Sequence, residues 1–318
     1  MSARKPFALR RALAATACPV ALTAVLAACG SSADPHGAHA AHDSHGTHGT
    51  HAASPMAGMT PSARSSAAMP MPMPGMDRMP VGNGLSDSAG GYRMVSRTAQ
   101  APAGTPLTYR FTITRPDGEP VTGFAIDQTK RLHFYAIRSD LTGFRHLHPA
   151  MAADGTWAAD LGSLRPGAWR LFAGFTPDAG AGRGKDFVLS RTLTVPGAAK
   201  AVPLPGAAPT AAVDGYTVTV RGEVMAGMAH DLTVDVAKDG RPVTDLQPYL
   251  GTYAHLTAFH AGDLAFAHLH PRTAVRGDHG GPELAFHAEL PEAGDWRLFL
   301  QFRASGALHT AALTLHAG

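Results

Sequence analysis

Two histidine motifs are the residues of this chain best suited to chemistry. In each motif one histidine is followed, after a short interval, by the sequence His-Leu-His-Pro. Neutral imidazole is a borderline ligand, and three imidazoles close together suit copper, zinc or nickel. The candidate metal ligands are therefore His133, His146 and His148 in the first motif and His255, His268 and His270 in the second.

A third set of candidate ligands lies near the N-terminus, in a stretch rich in Gly, Ala, Ser and Pro. Imidazoles bind Cu(II) well and thioethers bind Cu(I), so the combination favours copper over zinc. The alternative is a low-complexity spacer. The expected weak ligands of this arm are His36, His39, His42, His45, His48, His51, Met56, Met59, Met69, Met71, Met73, Met76 and Met79.

Each histidine motif needs a β-hairpin to bring its imidazoles together. Ser139-Asp140 lies midway between His133 and His146, and Ala261-Gly262 holds the matching place in the second motif. A two-residue turn there puts His133 directly opposite His146, with His148 on the same face. The alternative is that these histidines pack as structural residues against aromatic neighbours.

The two motifs belong to two copies of one module. His133, His146, His148 and Pro149 recur at one constant offset, and Gly167-Ala168-Trp169-Arg170-Leu171-Phe172 recurs as Gly294-Asp295-Trp296-Arg297-Leu298-Phe299. Apolar and polar residues alternate with period two, and Asp-Gly turns separate the alternating runs. We therefore predict an all-β chain: two tandem immunoglobulin-like antiparallel β-sandwich domains, preceded by a disordered His/Met-rich arm.

The N-terminus has the pattern of a bacterial export signal. A basic start is followed by a short apolar run that ends in Leu26-Ala27-Ala28-Cys29, which resembles a lipobox. Cys29 would then be acylated and would tether the protein to a membrane; the alternative is an ordinary signal peptide or a short anchor. The predicted boundaries are a signal at 1–28, an arm at 29–88, sandwich domains at 89–196 and 213–318, and a Pro/Ala-rich linker at 197–212.

Composition excludes several classes of function. Cys18 and Cys29 are the only cysteines, so the exported chain is expected to have neither a disulfide nor a cysteine-based zinc or blue-copper site. The formal net charge of +3 comes from the signal's basic residues, so nucleic-acid binding has no support. We find neither a paired general acid and base nor a nucleophile elbow, and we expect no enzyme activity.

Several further residues have a structural interpretation beside a functional one. Trp169 and Trp296 lie in alternating strand segments and are expected in the two cores. Met225, Met228 and His230 could form a second soft site, but the first copy has no counterpart. The unrepeated histidines are expected at the surface; they are His260, His279, His287, His309 and His316.

The second copy resembles a group of secreted or lipid-anchored bacterial proteins with YtkA-type and CopC-type modules. The resemblance rests on Tyr249-Leu250-Gly251-Thr252-Tyr253-Ala254-His255-Leu256 and on His268-Leu269-His270-Pro271. It implies an immunoglobulin-like fold and a role in copper handling. The first copy has Gln128-Thr129-Lys130-Arg131 in place of this lead-in, which predicts weaker binding there.

The sequence thus predicts an exported, lipid-anchored, copper-binding protein of the cell envelope that sequesters or delivers copper; zinc is possible. It would lie on the outer face of the plasma membrane, in the periplasm or on the outer membrane, and would pass the metal to a copper efflux or oxidase system. The alternative is a structural or adhesive lipoprotein that displays tandem modules without specific metal chemistry.

Overall fold

A computed structural model describes residues 80–318, and its regular elements are all β-strands. The first module contains β1 (Ser88–Ala89), β2 (Tyr92–Val95), β3 (Pro106–Thr114), β4 (Leu132–Arg138), β5 (Arg145–Leu147), β6 (Ala150–Met151), β7 (Trp157–Ser163), β8 (Gly167–Phe175) and β9 (Phe187–Val195). The second contains β10 (Thr210–Val213), β11 (Tyr216–Arg221), β12 (Ala229–Lys238), β13 (Arg241–Pro242), β14 (Ala254–His260), β15 (Phe266–Pro271), β16 (Glu283–Glu289), β17 (Gly294–Ala304) and β18 (Ala307–Ala317). Over these residues there is no helix long and apolar enough to span a membrane.

The strands form where apolar and polar residues alternate. Along β3, Tyr109, Phe111 and Ile113 are buried, whereas the residues between them reach the surface. Successive side chains of a strand point to opposite faces, so this alternation gives each sheet one face for a core. Trp169 and Trp296 are buried in the two cores, as expected, and each indole N–H donates to a backbone carbonyl 2.9 Å away.

Both modules have the strand order of immunoglobulin-like sandwiches. In the first module one sheet runs β1-β2-β3-β7-β6 and the other β5-β4-β8-β9. The second module repeats this plan as β10-β11-β12-β16 and β15-β14-β17-β18, with an added pairing of β15 with β16 that joins the two sheets at one edge. The all-β, tandem immunoglobulin-like fold is therefore confirmed; the arm lies outside the described residues.

The two modules pack against each other through their β4 and β14 sheets. All seven residues of β4 are buried, because one face covers the module's own core and the other covers the second module. The Phe144 and Phe299 rings stack across this interface at 4.2 Å, and the corresponding pair, Phe266 and Phe172, lies at 5.6 Å. Equivalent residues thus make equivalent contacts, which is a local pseudo-two-fold arrangement.

The chain enters the fold upstream of the expected boundary at residue 89. Val81 pairs with Phe187 of the first module, and Asn83 O accepts a 2.9 Å hydrogen bond from the backbone N–H of Phe266 in the second. The residues from Pro80 onward therefore lie along the seam between the modules. The expected linker is also held: Val202 N–H donates to the Asp140 carboxylate at 2.9 Å.

Candidate metal centre

The hairpins place all three histidines of each motif on one face, but with a different register from the one predicted. His146 lies opposite Tyr135, not His133, and His268 lies opposite Thr257. The prediction of a two-residue turn was wrong because Leu141 adopts a positive φ of 60° and Arg138 N–H bonds to Thr142 O, which closes a longer turn. The shift is two residues, and since the side-chain period is also two, the faces are unchanged.

The first motif forms a compact group of nitrogen atoms. His133 Nδ1 lies 3.0 Å from His146 Nε2, and the ligand atoms of His133, His146 and His148 all lie within 4.8 Å of one another. His148 Nε2 is buried and has no hydrogen-bond partner among the described residues. Two imidazole nitrogens that each lie about 2 Å from one metal ion are separated by roughly 3 Å. The 3.0 Å between His133 Nδ1 and His146 Nε2 therefore fits a shared metal ion.

The hydrogen bonds around the group leave two nitrogen lone pairs facing each other. His133 Nε2 points at the Asp127 carbonyl oxygen at 3.1 Å, and His146 Nδ1 points at Gln301 Oε1 at 2.7 Å. Both oxygens are acceptors, so both of these nitrogens must carry hydrogen. In neutral imidazoles the remaining nitrogens, His133 Nδ1 and His146 Nε2, then carry none. A cation between them satisfies both lone pairs.

The histidines of the second motif are less compact. The Tyr135 hydroxyl lies 3.3 Å from His255 Nε2, whereas His255 Nδ1 is buried without a partner in the described part of the chain. The His268 ring lies 4.6 Å from the His255 ring and 4.9 Å from the His270 ring. The more compact group of possible ligands belongs to the first copy; the expectation of weaker binding there stays a prediction.

The two motifs meet in one cluster at the interface between the modules. The rings of His133 and His255 stack 5.4 Å apart with an interplanar angle of 12°, and His255 lies 4.7 Å from His146. Strands β4 and β14 carry these residues on their outward faces, so packing the modules brings the imidazoles together. The sequence predicts two separate triads, and the structure forms a single cluster of six imidazoles.

Burial keeps most of these imidazoles neutral. It lowers the pKa of His133, and it lowers the pKa of His148 to about 4. Desolvation, together with repulsion from neighbouring histidines, holds the pKa values of His146, His255 and His268 well below the usual range. A neutral imidazole keeps a lone pair, so at neutral pH these groups could coordinate a metal ion without first losing a proton.

Four polar residues that the sequence analysis did not single out as site residues orient the cluster. Asp127, Tyr135 and Gln301 make the contacts described above, and Gln128 Nε2 lies 3.4 Å from His268 Nε2. Gln301 occupies the position that corresponds to Gly174 in the first module, and each pairs with the first histidine of its motif. The sequence contained a signal for two of these residues, because Gln128 and Gln301 stand at positions where the two copies differ.

The remaining candidate residues lie elsewhere. Met225 and Met228 are exposed, and His309 and His316 pair with Asp214 and Asp295. His309 was expected at the surface but is buried. His260, Asp263 and Glu292 form another compact group, in which His260 bonds to Asp263 and to a backbone carbonyl. Cys29 and the expected arm ligands from His36 to Met79 fall outside the described residues.

Comparisons with known proteins give one family match, and it covers the second module. A family described as a domain of unknown function, DUF8832, matches residues 211–318. No curated protein matches. Among solved structures, the Escherichia coli adhesin FdeC is 12% identical, with 75% of this chain and 65% of that chain covered and a TM-score of 0.24. This chain therefore spans less than two thirds of that structure.

Two further solved structures are similar at the same low level. Fibronectin(III)-like modules of Clostridium thermocellum CbhA are 10% identical over 71% of this chain and 93% of theirs, with a TM-score of 0.19. Domains 4 and 5 of the S-layer protein SbsC are 10% identical over 71% and 96%, with a TM-score of 0.22. Similarity this low carries no argument about activity.

Proposed function

We propose that this chain is an exported metal-binding protein whose ordered site is the cluster of six histidines between its two modules. One observation carries the proposal. His133 Nδ1 and His146 Nε2 face each other at 3.0 Å while their other nitrogens point at oxygen acceptors. A proton could occupy this position only by charging a buried imidazole, whereas a metal ion is held there by neutral ligands.

The ion we propose is copper, with zinc as the competing ion. Imidazole alone suits both metals, so the cluster does not separate them. The N-terminal arm supplies the distinction, because its thioethers are soft ligands that select Cu(I) and the export signal predicts a compartment where free thiols would oxidise. Thioethers bind copper there without forming disulfides.

The proposed role is to sequester or deliver copper, rather than to carry out catalysis. The arm would collect ions weakly, and the buried cluster would hold them until a copper efflux or oxidase system receives them. Acylation of Cys29 would keep the protein at the outer face of the plasma membrane, in the periplasm or at the outer membrane. The resemblance of the second motif to YtkA-type and CopC-type modules agrees with this role.

A copper titration tests the proposal. A chain that begins at Pro80 keeps every described strand and lacks the arm, so copper bound by it belongs to the modules. We expect one tight site, which His146→Ala removes. The matched control is His316→Ala, because His316 lies on β18 and pairs with Asp295. If the parent chain binds no copper and no zinc, the histidines only pack the interface.

A structural or adhesive function is the second candidate, and burial of the cluster is the observation that favours it. His133 and His255 are 4% and 1% exposed and stack as ordinary interface residues would. Two of the similar structures are an adhesin and a pair of S-layer protein domains. Under this function, His146→Ala would change the stability of the interface and leave metal content unchanged.

A further inference from the structure

The cluster opens to solvent on one side, through the second module. His268 and His270 line a small cavity of about 70 Å³ together with His133. The same two histidines line a larger groove of about 320 Å³ beside strands β15 and β16. The two spaces share these imidazoles, so a row of side chains connects the groove with the buried nitrogens of the first module.

The outer end of the groove carries two further metal-binding side chains, His287 and Glu289. His287 is the cross-strand partner of His270, so both side chains lie on the outward face of the sheet. Glu289 follows two residues later on the same face. An imidazole and a carboxylate beside a row of imidazoles are ligands suited to a transition-metal ion.

The groove also adjoins the place where the N-terminal arm joins the fold. Pro80 lines both the groove and the smaller cavity.

We propose that this groove is the port of the metal cluster, in which His287 and Glu289 are the first residues to receive a copper ion from solution. The ion then passes to His270 and His268 and reaches the nitrogens of the first motif. Each step exchanges one imidazole or carboxylate ligand for another and leaves the oxidation state of the ion unchanged, so it needs no oxidant or reductant. This inference rests on the proposed function and adds a route to it.

The test is the rate of copper uptake by the exported chain, with Cu(I) supplied as its bicinchoninate complex and the loss of the complex's absorbance followed by stopped flow. We expect His287→Ala with Glu289→Gln to slow uptake about tenfold, because the carboxylate no longer attracts the cation. The amount of copper bound at equilibrium should stay the same. His316→Ala serves as the control and should take up copper at the parent rate.

The results of this uptake experiment test the proposed port and the proposed metal-binding function separately. A parent chain that takes up no copper overturns both. A parent chain that binds copper while the double variant fills equally fast overturns the port and leaves the cluster as the site.

Discussion

Gln301 decides which nitrogen of His146 carries hydrogen. Its amide oxygen lies 2.7 Å from His146 Nδ1, and its Nε2 donates to Thr310 Oγ1 at 3.4 Å. The side chain belongs to the second module, whereas the imidazole that it orients belongs to the first. One amide therefore links the packing of the modules to the availability of a lone pair on His146 Nε2.

We expect Gln301→Leu to weaken copper binding by about tenfold, since groups that orient a metal ligand typically contribute that much. Without the acceptor, His146 is free to place its hydrogen on the nitrogen that must bind the ion. Gln301→Glu is the matched control, because a carboxylate still accepts from Nδ1–H and should retain affinity. Isothermal titration of both variants provides the measurement, and equal weakening in both would contradict this explanation.

The depressed histidine pKa values predict that the metal-free protein loses stability in mild acid. An unfolded histidine titrates at about 6.5, whereas burial lowers the pKa of His148 to about 4 in the folded state. Between these values the unfolded chain binds more protons, so the free energy of unfolding falls as pH is lowered through this window. Urea unfolding at pH 7 and pH 5 should show the decrease.

His148→Gln should make that decrease shallower, because it removes one group that is protonated only on unfolding. The corresponding control is His316→Gln, whose histidine is mostly exposed. If both variants lose stability between pH 7 and pH 5 as steeply as the parent chain, burial of His148 does not govern the acid response.

At the scale of elements, the sequence predicted the strands and the shared face of each triad but not the hairpin register. Alternation determined the face, because a shift of two residues leaves it unchanged. The turn could not be predicted from Ser139-Asp140 alone. Its conformation depends on Leu141 with φ at 60° and on the Asp140 carboxylate, which accepts from both the Thr142 N–H and its hydroxyl.

Asp140 joins the hairpin turn to the linker, so its removal should destabilise the first module. Its carboxylate pairs with Arg138, and both side chains are almost fully buried. Breaking a buried pair from one side costs about 3 kcal/mol, whereas an exposed pair contributes less than about 1 kcal/mol. We expect Asp140→Ala to lower the free energy of unfolding by the larger amount. Asp117→Ala, which removes the exposed ion pair between Arg115 and Asp117, should lower it by the smaller.

The ion pair between Arg138 and Asp140 should contribute less to stability as the pH is lowered. Burial raises the pKa of Asp140, but hydrogen bonds from Arg138, Thr142 and Val202 outweigh it and hold the pKa well below the usual value. The pair therefore contributes stability above the unfolded carboxyl value of about 3.9 and loses it as pH falls further. Chemical denaturation of parent and Asp140→Ala at pH 6 and pH 3 should show the difference shrinking, and a constant difference would contradict this assignment.

At the scale of the whole molecule, the cluster of six imidazoles exists only when the modules are docked. Each half contributes outward-facing imidazoles, and the aromatic residues around them seal the interface. The sequence indicated the duplication but not the docking, because residues such as Phe144 and Phe266 are equally suited to the core of one module. Their contacts become apparent only when the outward faces of β4 and β14 are seen together.

We expect Phe144→Asp to separate the modules without unfolding either one. Phe144 stacks on Phe299 of the second module, and a carboxylate there would have to be desolvated for the interface to form. Small-angle scattering should show a larger radius of gyration, and copper affinity should fall because His255 and Gln301 move away. Leu308→Asp is the control, since that residue is exposed on β18.

An unchanged radius of gyration and unchanged copper affinity in Phe144→Asp would show that the cluster does not depend on docking. A larger radius with unchanged affinity would assign the ion to the histidines of the first module alone.

The pseudo-two-fold interface also has a consequence for how the two halves can differ. A homodimer built from a single module would carry every side chain twice, so one substitution would alter both sides of its axis. Joining the copies in one chain removes that constraint. An amide could then stand at position 301 on one side while Gly174 leaves the equivalent place empty on the other. Under the proposed function, fusion would allow one triad to specialise in holding an ion while the other becomes the path by which the ion arrives.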